Sequence, residues 1–435
     1  MARFELFGTL QRMAGTLLEA EGIEAAVGDW CWALLGGERL PLEVVGFSGS
    51  RCLLMPLSAA QGLEQGILVS MGTRPTSPDP STLLGRVINA VGLPLDGGPA
   101  LPQGSHGPPP RPINPLVRSI ITEPFDVGVR SINGLLTLGV GQRVGLFAGS
   151  GVGKSVLLGM LARYSAADVV VIGLIGERGR EVQEFLSDNL GNSLEHSVVI
   201  ASPADDAPGL RLRAAVMAHE VAEYYRAQGL KVLLLLDSVT RIAQAQREIG
   251  LAAGEPPTSK GYPPSVYSLL PRLIERAGGL ASSGGSITAI YTVLMEEDDL
   301  SDPIVDAARA VLDGHIVLSR RIADRGQYPA IDIGASISRV QNKLQSPQQR
   351  SASLAFRRWW TRYREQEDLI AVGAYEKGSD PDTDAGIARH DEMFSYLCQD
   401  VEERVDLSSA EAELARVTRP LNAEMTVATI ASNAT

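Results

Sequence analysis

The 435-residue chain carries 39 basic and 51 acidic residues, a formal net charge of −12, and 44% of its residues are hydrophobic. So acidic a balance argues against a general nucleic-acid binder, which needs a basic footprint for the phosphate backbone. No apolar run approaches the ~20 residues that cross a bilayer as a helix, and the first residues lack a signal-like apolar core. A cytoplasmic protein of about three domains is expected.

From the N-terminus to about Met71, short β-type runs alternate with glycine turns: Leu17–Ala20, Leu42–Phe47 and Cys52–Met55. Their close spacing predicts a small β-barrel or sandwich over residues 1–75. Residues 76–119 read as an extended connection. Gly85–Gly98 is strand-like and then turning, and Pro99–Pro115 is too rich in proline and glycine to be helical. From 120 to 345, strands alternate with helices. Val169–Ile175 and Val232–Leu236 are continuous apolar runs, as in central strands of a parallel sheet covered on both faces. Ala214–Ala227 reads as a helix between them, and Ile287–Met295 and Ile316–Leu318 as further strands. Ligands of such a sheet sit at the carboxyl ends of its strands.

Residues 346–435 read as a helical domain, with Leu354, Ala355, Trp359 and Tyr363 at helical spacing and a polar tail beyond about Val417. Within it, Phe356–Arg364 interleaves arginines with aromatics; such a stretch reads as a helix with aromatics inward and arginines solvated rather than as a base-stacking surface. Cys31, Cys52 and Cys398 are scattered, which predicts reduced thiols. His106, His196, His219, His315 and His390 lack metal-ligand spacing, so no zinc site is expected.

The strongest local signal is Ala148-Gly149-Ser150-Gly151-Val152-Gly153-Lys154-Ser155, set between an apolar run ending at Phe147 and an apolar helical segment. This is the glycine-rich phosphate loop of nucleoside-triphosphate-binding proteins. Gly149, Ser150, Gly151, Val152 and Gly153 would offer backbone N–H groups to phosphate oxygens, with the positive end of the helix dipole behind them. Lys154 would reach the β- and γ-phosphates and Ser155 would ligate Mg²⁺. Ala148 stands where such loops usually have their first glycine, which requires negative φ there.

Two carboxylate positions complete the chemistry. Leu233–Asp237 is an apolar strand ending in an Asp that can hold Mg²⁺ through its hydration shell. After Val169–Ile175 come Glu177 and Glu181, either of which could polarise an attacking water; Glu177 is nearer the strand end, but spacing alone does not choose.

The chain resembles the rotary-type ATPases related to the F1 catalytic subunit and, within them, the ATPases of flagellar type III protein export. The resemblance rests on the phosphate loop with its Ala148 and on Ile172–Glu181. It continues through Asp237-Ser238-Val239-Thr240-Arg241, Gly254–Pro257, Lys260–Val266, Leu312–Arg321 and Tyr328–Ile333, running from about Thr16 to about Asp380. It implies an α/β fold: a RecA-like P-loop parallel-sheet core with an N-terminal small β-barrel and a C-terminal helical domain. It also implies an ATP- and Mg²⁺-dependent homohexamer. Its partners would be a stator-like regulatory protein, a coiled-coil stalk protein, the export gate, and export substrates or chaperones, with peripheral placement at the inner membrane and no nucleic acid. The nearest alternative is an injectisome ATPase; a Rho-like nucleic-acid motor or a non-catalytic rotary subunit are the other readings.

By the same resemblance Glu177 takes the catalytic carboxylate position in preference to Glu181. Arg339 matches the arginine supplied to a neighbouring subunit's nucleotide, and Tyr328 an adenine-pocket aromatic. Arg178 and Arg241 become lesser candidates, expected to pair with Glu177 and Asp237. Gly254–Val266 resembles a loop lining a central pore, whereas Glu296-Glu297-Asp298-Asp299 reads as a solvated acidic loop. Flagellar export ATPases usually carry a longer amphipathic N-terminal extension that docks the regulator; with the shorter segment here the resemblance leaves docking by that route open.

Overall fold

A computed structural model of the chain describes residues 7–58, 60–72, 77–104, 113–282, 284–295 and 302–419. Six strands close a barrel in the order β1-β2-β5-β4-β3-β6: β1 (Phe7–Ala14), β2 (Leu17–Glu21), β3 (Trp30–Leu35), β4 (Glu38–Ser48), β5 (Arg51–Pro56) and β6 (Leu68–Gly72). Along β4 the two-residue period puts Leu40, Leu42 and Val44 inside and leaves Pro41, Glu43 and Val45 partly exposed. The runs read from the sequence fall in β2, β4 and β5. The barrel also contains β1, β3 and β6, and it begins at Phe7, ahead of Thr16. Cys31 and Cys52 are free thiols buried in its core, and burial pushes the Cys31 thiol up to about 11.

A mixed sheet follows: β7 (Arg86–Asn89), β8 (Arg143–Ala148), β9 (Val169–Ile175), β10 (Ser197–Ser202), β11 (Lys231–Asp237), β12 (Gly278–Gly279), β13 (Ser286–Leu294), β14 (Gly314–Leu318) and β15 (Ile337–Ser338). Its order is β15-β14-β8-β13-β11-β9-β10-β7, parallel from β14 to β7, with β15 antiparallel at one edge and β12 paired to β13. One expectation needs correcting here. The segment read as an extended connection contributes β7, which pairs with β10, Val87 opposite Val199. Gly107–Pro112, the most proline-rich part of that segment, lies outside the described residues.

The helices are α1 (Arg130–Leu135), α2 (Lys154–Tyr164), α3 (Gly179–Glu184), α4 (Pro208–Ala227), α5 (Val239–Ala252), α6 (Pro264–Ile274) and α7 (Pro303–Val311). They continue as α8 (Arg320–Ala323), α9 (Gln341–Leu344), α10 (Pro347–Ala371), α11 (Pro381–Ala388), α12 (His390–Leu397) and α13 (Leu407–Val417). One face of the sheet packs Val171, Leu234 and Tyr291 against Ala218, Ile242 and Leu270 from α4, α5 and α6. The other packs Val170, Ile172 and Leu233 with Leu157 and Leu161 of α2, in one cluster with Phe356, Trp360, Tyr396 and Leu414 from the C-terminal helices. Those helices therefore share the core of the sheet domain.

α10 has the expected helical period but a different buried face. Phe356 and Trp360 are buried, Gln349 and Ser353 join them, and Leu354 is 63% exposed. The arginine–aromatic stretch is built into this packing: Arg357 donates to the carbonyls of Ile333 and Leu135 at 2.7 and 2.8 Å, and Arg358 and Arg362 pair with Asp382 and Glu365.

His219 in α4 is fully buried, its Nδ1 2.8 Å from the Ala215 carbonyl and its Nε2 3.0 Å from the Tyr291 hydroxyl. Burial, reinforced by the nearby Arg276 and Arg226 charges, pushes its pKa down to about 3. The unfolded chain binds this proton near pH ~6.5, so neutral His219 contributes stability above that pH, lost as pH falls towards 3 at up to ~1.4 kcal/mol per pH unit. Replacing His219 by Gln is expected to flatten the fall of the urea midpoint between about pH 6.5 and 4.5. An unchanged slope would assign that acid sensitivity to other groups.

Candidate active site

The phosphate loop leaves the sheet at the carboxyl end of β8. Ala148 is still a strand residue, fully buried, opposite Leu294 of β13 and Leu318 of β14. Among the described residues Lys260 is the only non-glycine with positive φ, so the methyl of Ala148 meets no backbone strain. The turn is made by Gly151 and Gly153, at φ +77° and +87°, with Val152 buried between them. Gly153 then caps α2, whose first residues are Lys154 and Ser155.

Two strand ends converge on Lys154. Its Nζ lies 2.6 Å from Asp237 Oδ1 at the end of β11 and 3.2 Å from Glu177 Oε1 just past β9. All three side chains are at most 12% exposed. Burial works to lower the pKa of Lys154, but Asp237 and Glu177 outweigh it and hold the ammonium above its ordinary value. Thr292 of β13 donates to the same Asp237 oxygen at 2.6 Å and so fixes the carboxylate.

Glu177 is aimed by the backbone before it. Gly176 has φ +71°, and a Cβ there would come within 2.6 Å of the Arg241 side chain, so the sharp exit from β9 requires glycine. The Gly176 N–H donates to Ser202 and the Glu177 carbonyl accepts from Ala204, tying the turn to β10 and its exit.

The other sequence candidates are placed as follows. Glu181 lies on α3, 45% exposed and 3.7 Å from Arg178, so it is Glu177 that meets the lysine. Arg178 faces that glutamate and Arg241 donates to Gln244 at 3.1 Å; neither forms the pair expected with Glu177 or Asp237. Tyr328 is half exposed beside the loop, its ring 3.7 Å from the Cβ position of Gly153, and its carbonyl accepts from the Gln399 N–H of the C-terminal region. Ser155 is exposed at the same end of α2. Arg339 is exposed at the other end of the sheet, donating to the Arg309 carbonyl at 3.2 Å. Glu296–Asp299 lies outside the described residues. Thr292 was missed from sequence, although a threonine inside an apolar strand was the available signal.

The nucleotide-binding-domain model of the ATP synthase alpha/beta family matches residues 128–338, and that of the C-terminal domain of the type III secretion ATPase EscN matches 345–416. The flagellum-specific ATP synthase of Pseudomonas aeruginosa is 54% identical over 94% of this chain and 92% of its own. The chain belongs to the flagellar and type III secretion ATPase family. Its fold agrees over nearly the whole length with assembled EscN from enteropathogenic Escherichia coli: TM-score 0.87, 40% identity, 95% of this chain and 100% of that one. EscN in complex with its central stalk EscO matches at TM-score 0.85 and 39% identity, with the same coverage. As a member of this family the chain binds and hydrolyses ATP. The barrel, parallel-sheet core and helical C-terminal region expected from sequence are those of the family.

Proposed function

We propose that this ATPase energises flagellar type III protein export as a homohexamer on the cytoplasmic face of the inner membrane, hydrolysing ATP between its subunits. The convergence of Lys154, Glu177 and Asp237 at neighbouring strand ends carries this reading. ATP lies with its phosphates over Gly149–Gly153 and its adenine beside the exposed ring of Tyr328. Lys154 neutralises charge on the β- and γ-phosphates, and Glu177 orients and deprotonates the attacking water.

Two carboxylates against one ammonium leave this pocket net negative, so a polyphosphate needs a further counter-charge. Mg²⁺ fits. The Ser155 hydroxyl and the Asp237 carboxylate are the hard oxygen donors it takes, and no cluster of three or more His, Cys, Asp or Glu among the described residues offers an all-protein cage, which Mg²⁺ rarely uses. When bound, it would neutralise phosphate charge.

Arg339 completes the site of a neighbouring copy. Assembly of several copies and a central stalk partner are supported by the likeness to assembled EscN, alone and in complex with its stalk EscO; the count of six rests on the family resemblance. Gly254–Val266 is the segment we place at the pore, facing the stalk; the regulator, export gate and substrates or chaperones would be the remaining partners. Among the described residues no helix is long and apolar enough to cross a membrane, in keeping with peripheral attachment. The flagellar assignment over the injectisome one rests on 54% and 51% identity to two flagellar relatives against 46% to a type 3 secretion system ATPase of Xanthomonas euvesicatoria and 40% to EscN.

Deletion of the gene tests the assignment. Expected are loss of motility and of secreted flagellin, restored by the wild-type chain but not by Lys154→Ala, with secretion of effectors unchanged. Intact motility with lost effector secretion would move the protein to the injectisome branch.

A further inference from the structure

Arg320 was not among the sequence candidates for the site, yet it touches the phosphate loop. β14 runs parallel to β8 with Leu318 opposite Ala148, so two residues further along each chain Arg320 and Ser150 emerge side by side. The Arg320 guanidinium donates through Nη2 to the Ser150 carbonyl at 2.9 Å. Its own position is set locally: Ser319 N–H bonds to the Ala330 carbonyl, and the Arg320 carbonyl accepts from Asp324 N–H. Among the described residues Arg320 forms no ion pair, so its charge is left to act on the loop.

The peptide it holds has little else to fix it. Ser150 and Gly151 are exposed, and a Cβ at Gly151 would touch nothing within 4 Å. In a trans peptide the C=O and N–H point in opposite directions, so pinning the Ser150 carbonyl towards Arg320 turns the Gly151 N–H away from it. A cationic donor on the carbonyl also polarises the peptide and strengthens that N–H as a donor. We propose that Arg320 is a positioning residue for the phosphate loop, holding the Ser150–Gly151 peptide so that the Gly151 N–H is presented to the polyphosphate of ATP or ADP. The proposal rests on the reading of Gly149–Ser155 as the phosphate site.

Binding of ADP and of adenosine to the full chain separates the cases. Loss of one charge-assisted hydrogen bond predicts that Arg320→Ala binds ADP about tenfold more weakly. Adenosine, which has no phosphate, should bind it as it binds the wild type. Arg320→Lys should fall between, and KM for ATP should rise more than kcat falls. ADP affinity equal to wild type, or equal losses for ADP and adenosine, would overturn the proposal. Lys154→Ala in the same titrations is the reference. If it too keeps full ADP affinity, the reading of the loop fails; if it loses affinity while Arg320→Ala does not, only the role of Arg320 falls.

Discussion

Lys154→Ala is expected to lower ATP turnover by about a thousandfold or more. Among the described residues the lysine is the one cation in contact with both carboxylates, 2.6 Å from Asp237 and 3.2 Å from Glu177, in a pocket where none of the three side chains is more than 12% exposed. Without it a polyphosphate would meet two carboxylates with no fixed counter-charge, and charge developing on the transferred phosphoryl group would be unopposed. Low surrounding polarity enlarges both effects, because buried charges are poorly screened. Phosphate release at saturating ATP measures the loss, and undiminished activity would remove Lys154 from the site.

The same substitution has a stability signature that separates a broken site from a broken fold. Removing one partner of a buried ion pair leaves the other charge uncompensated, a cost of about 3–5 kcal/mol. Burial already holds the Asp237 carboxyl above its ordinary value against the pull of Lys154. In the variant it keeps its bond from Thr292 but loses the ammonium, so its folded-state pKa rises further above the unfolded value. Such a group stabilises the fold below its unfolded pKa, and that contribution is lost as pH rises through the raised one. The melting temperature of Lys154→Ala should therefore lie closer to wild type at pH ~5 than at pH ~7.5. A gap independent of pH would show that Asp237 is not the group left unpaired.

The phosphate loop was legible because its signal is local: glycines at required positions, an apolar strand before and a helix after. The central strands Val169–Ile175 and Val232–Leu236 were legible for a similar reason, since a strand buried on both faces has no polar positions. What stayed hidden was pairing over long sequence distances. Arg86–Asn89 looks like a strand in isolation, but its partner Val198–Ala201 is more than a hundred residues away, so nothing local marks it as an edge of the sheet. The choice between Glu177 and Glu181 turns on the bend at Gly176, which spacing does not reveal. On α10 the period was readable and the phase was not. Gln349 and Ser353 take buried positions because they bond to Thr137 and Gln341, partners outside the helix, and Leu354 is left on the solvent side.

Arg339→Ala is expected to keep nucleotide affinity and lose roughly 10³-fold or more of the hydrolysis that appears on assembly, the size of effect an arginine supplied to a phosphoryl transition state has. The argument is positional. Arg339 follows β15, where Ser338 lies opposite Gly314 at the amino end of β14, and its N–H bonds to the Asp313 carbonyl. The phosphate loop leaves the carboxyl end of the adjacent β8. At ~3.3 Å per residue the length of β8 puts roughly 15–20 Å between Arg339 and the loop of its own chain. An exposed arginine that far away cannot touch its own nucleotide, so any catalytic role must be exercised on a neighbour. Mixing the two inactive variants makes this decisive. Where a Lys154→Ala subunit presents its intact Arg339 to the intact phosphate loop of an Arg339→Ala subunit, the interface is wild type in every catalytic residue. Mixed assemblies should therefore regain part of the activity that neither variant has alone. If mixing restores nothing although both variants co-assemble, Arg339 does not act across the interface.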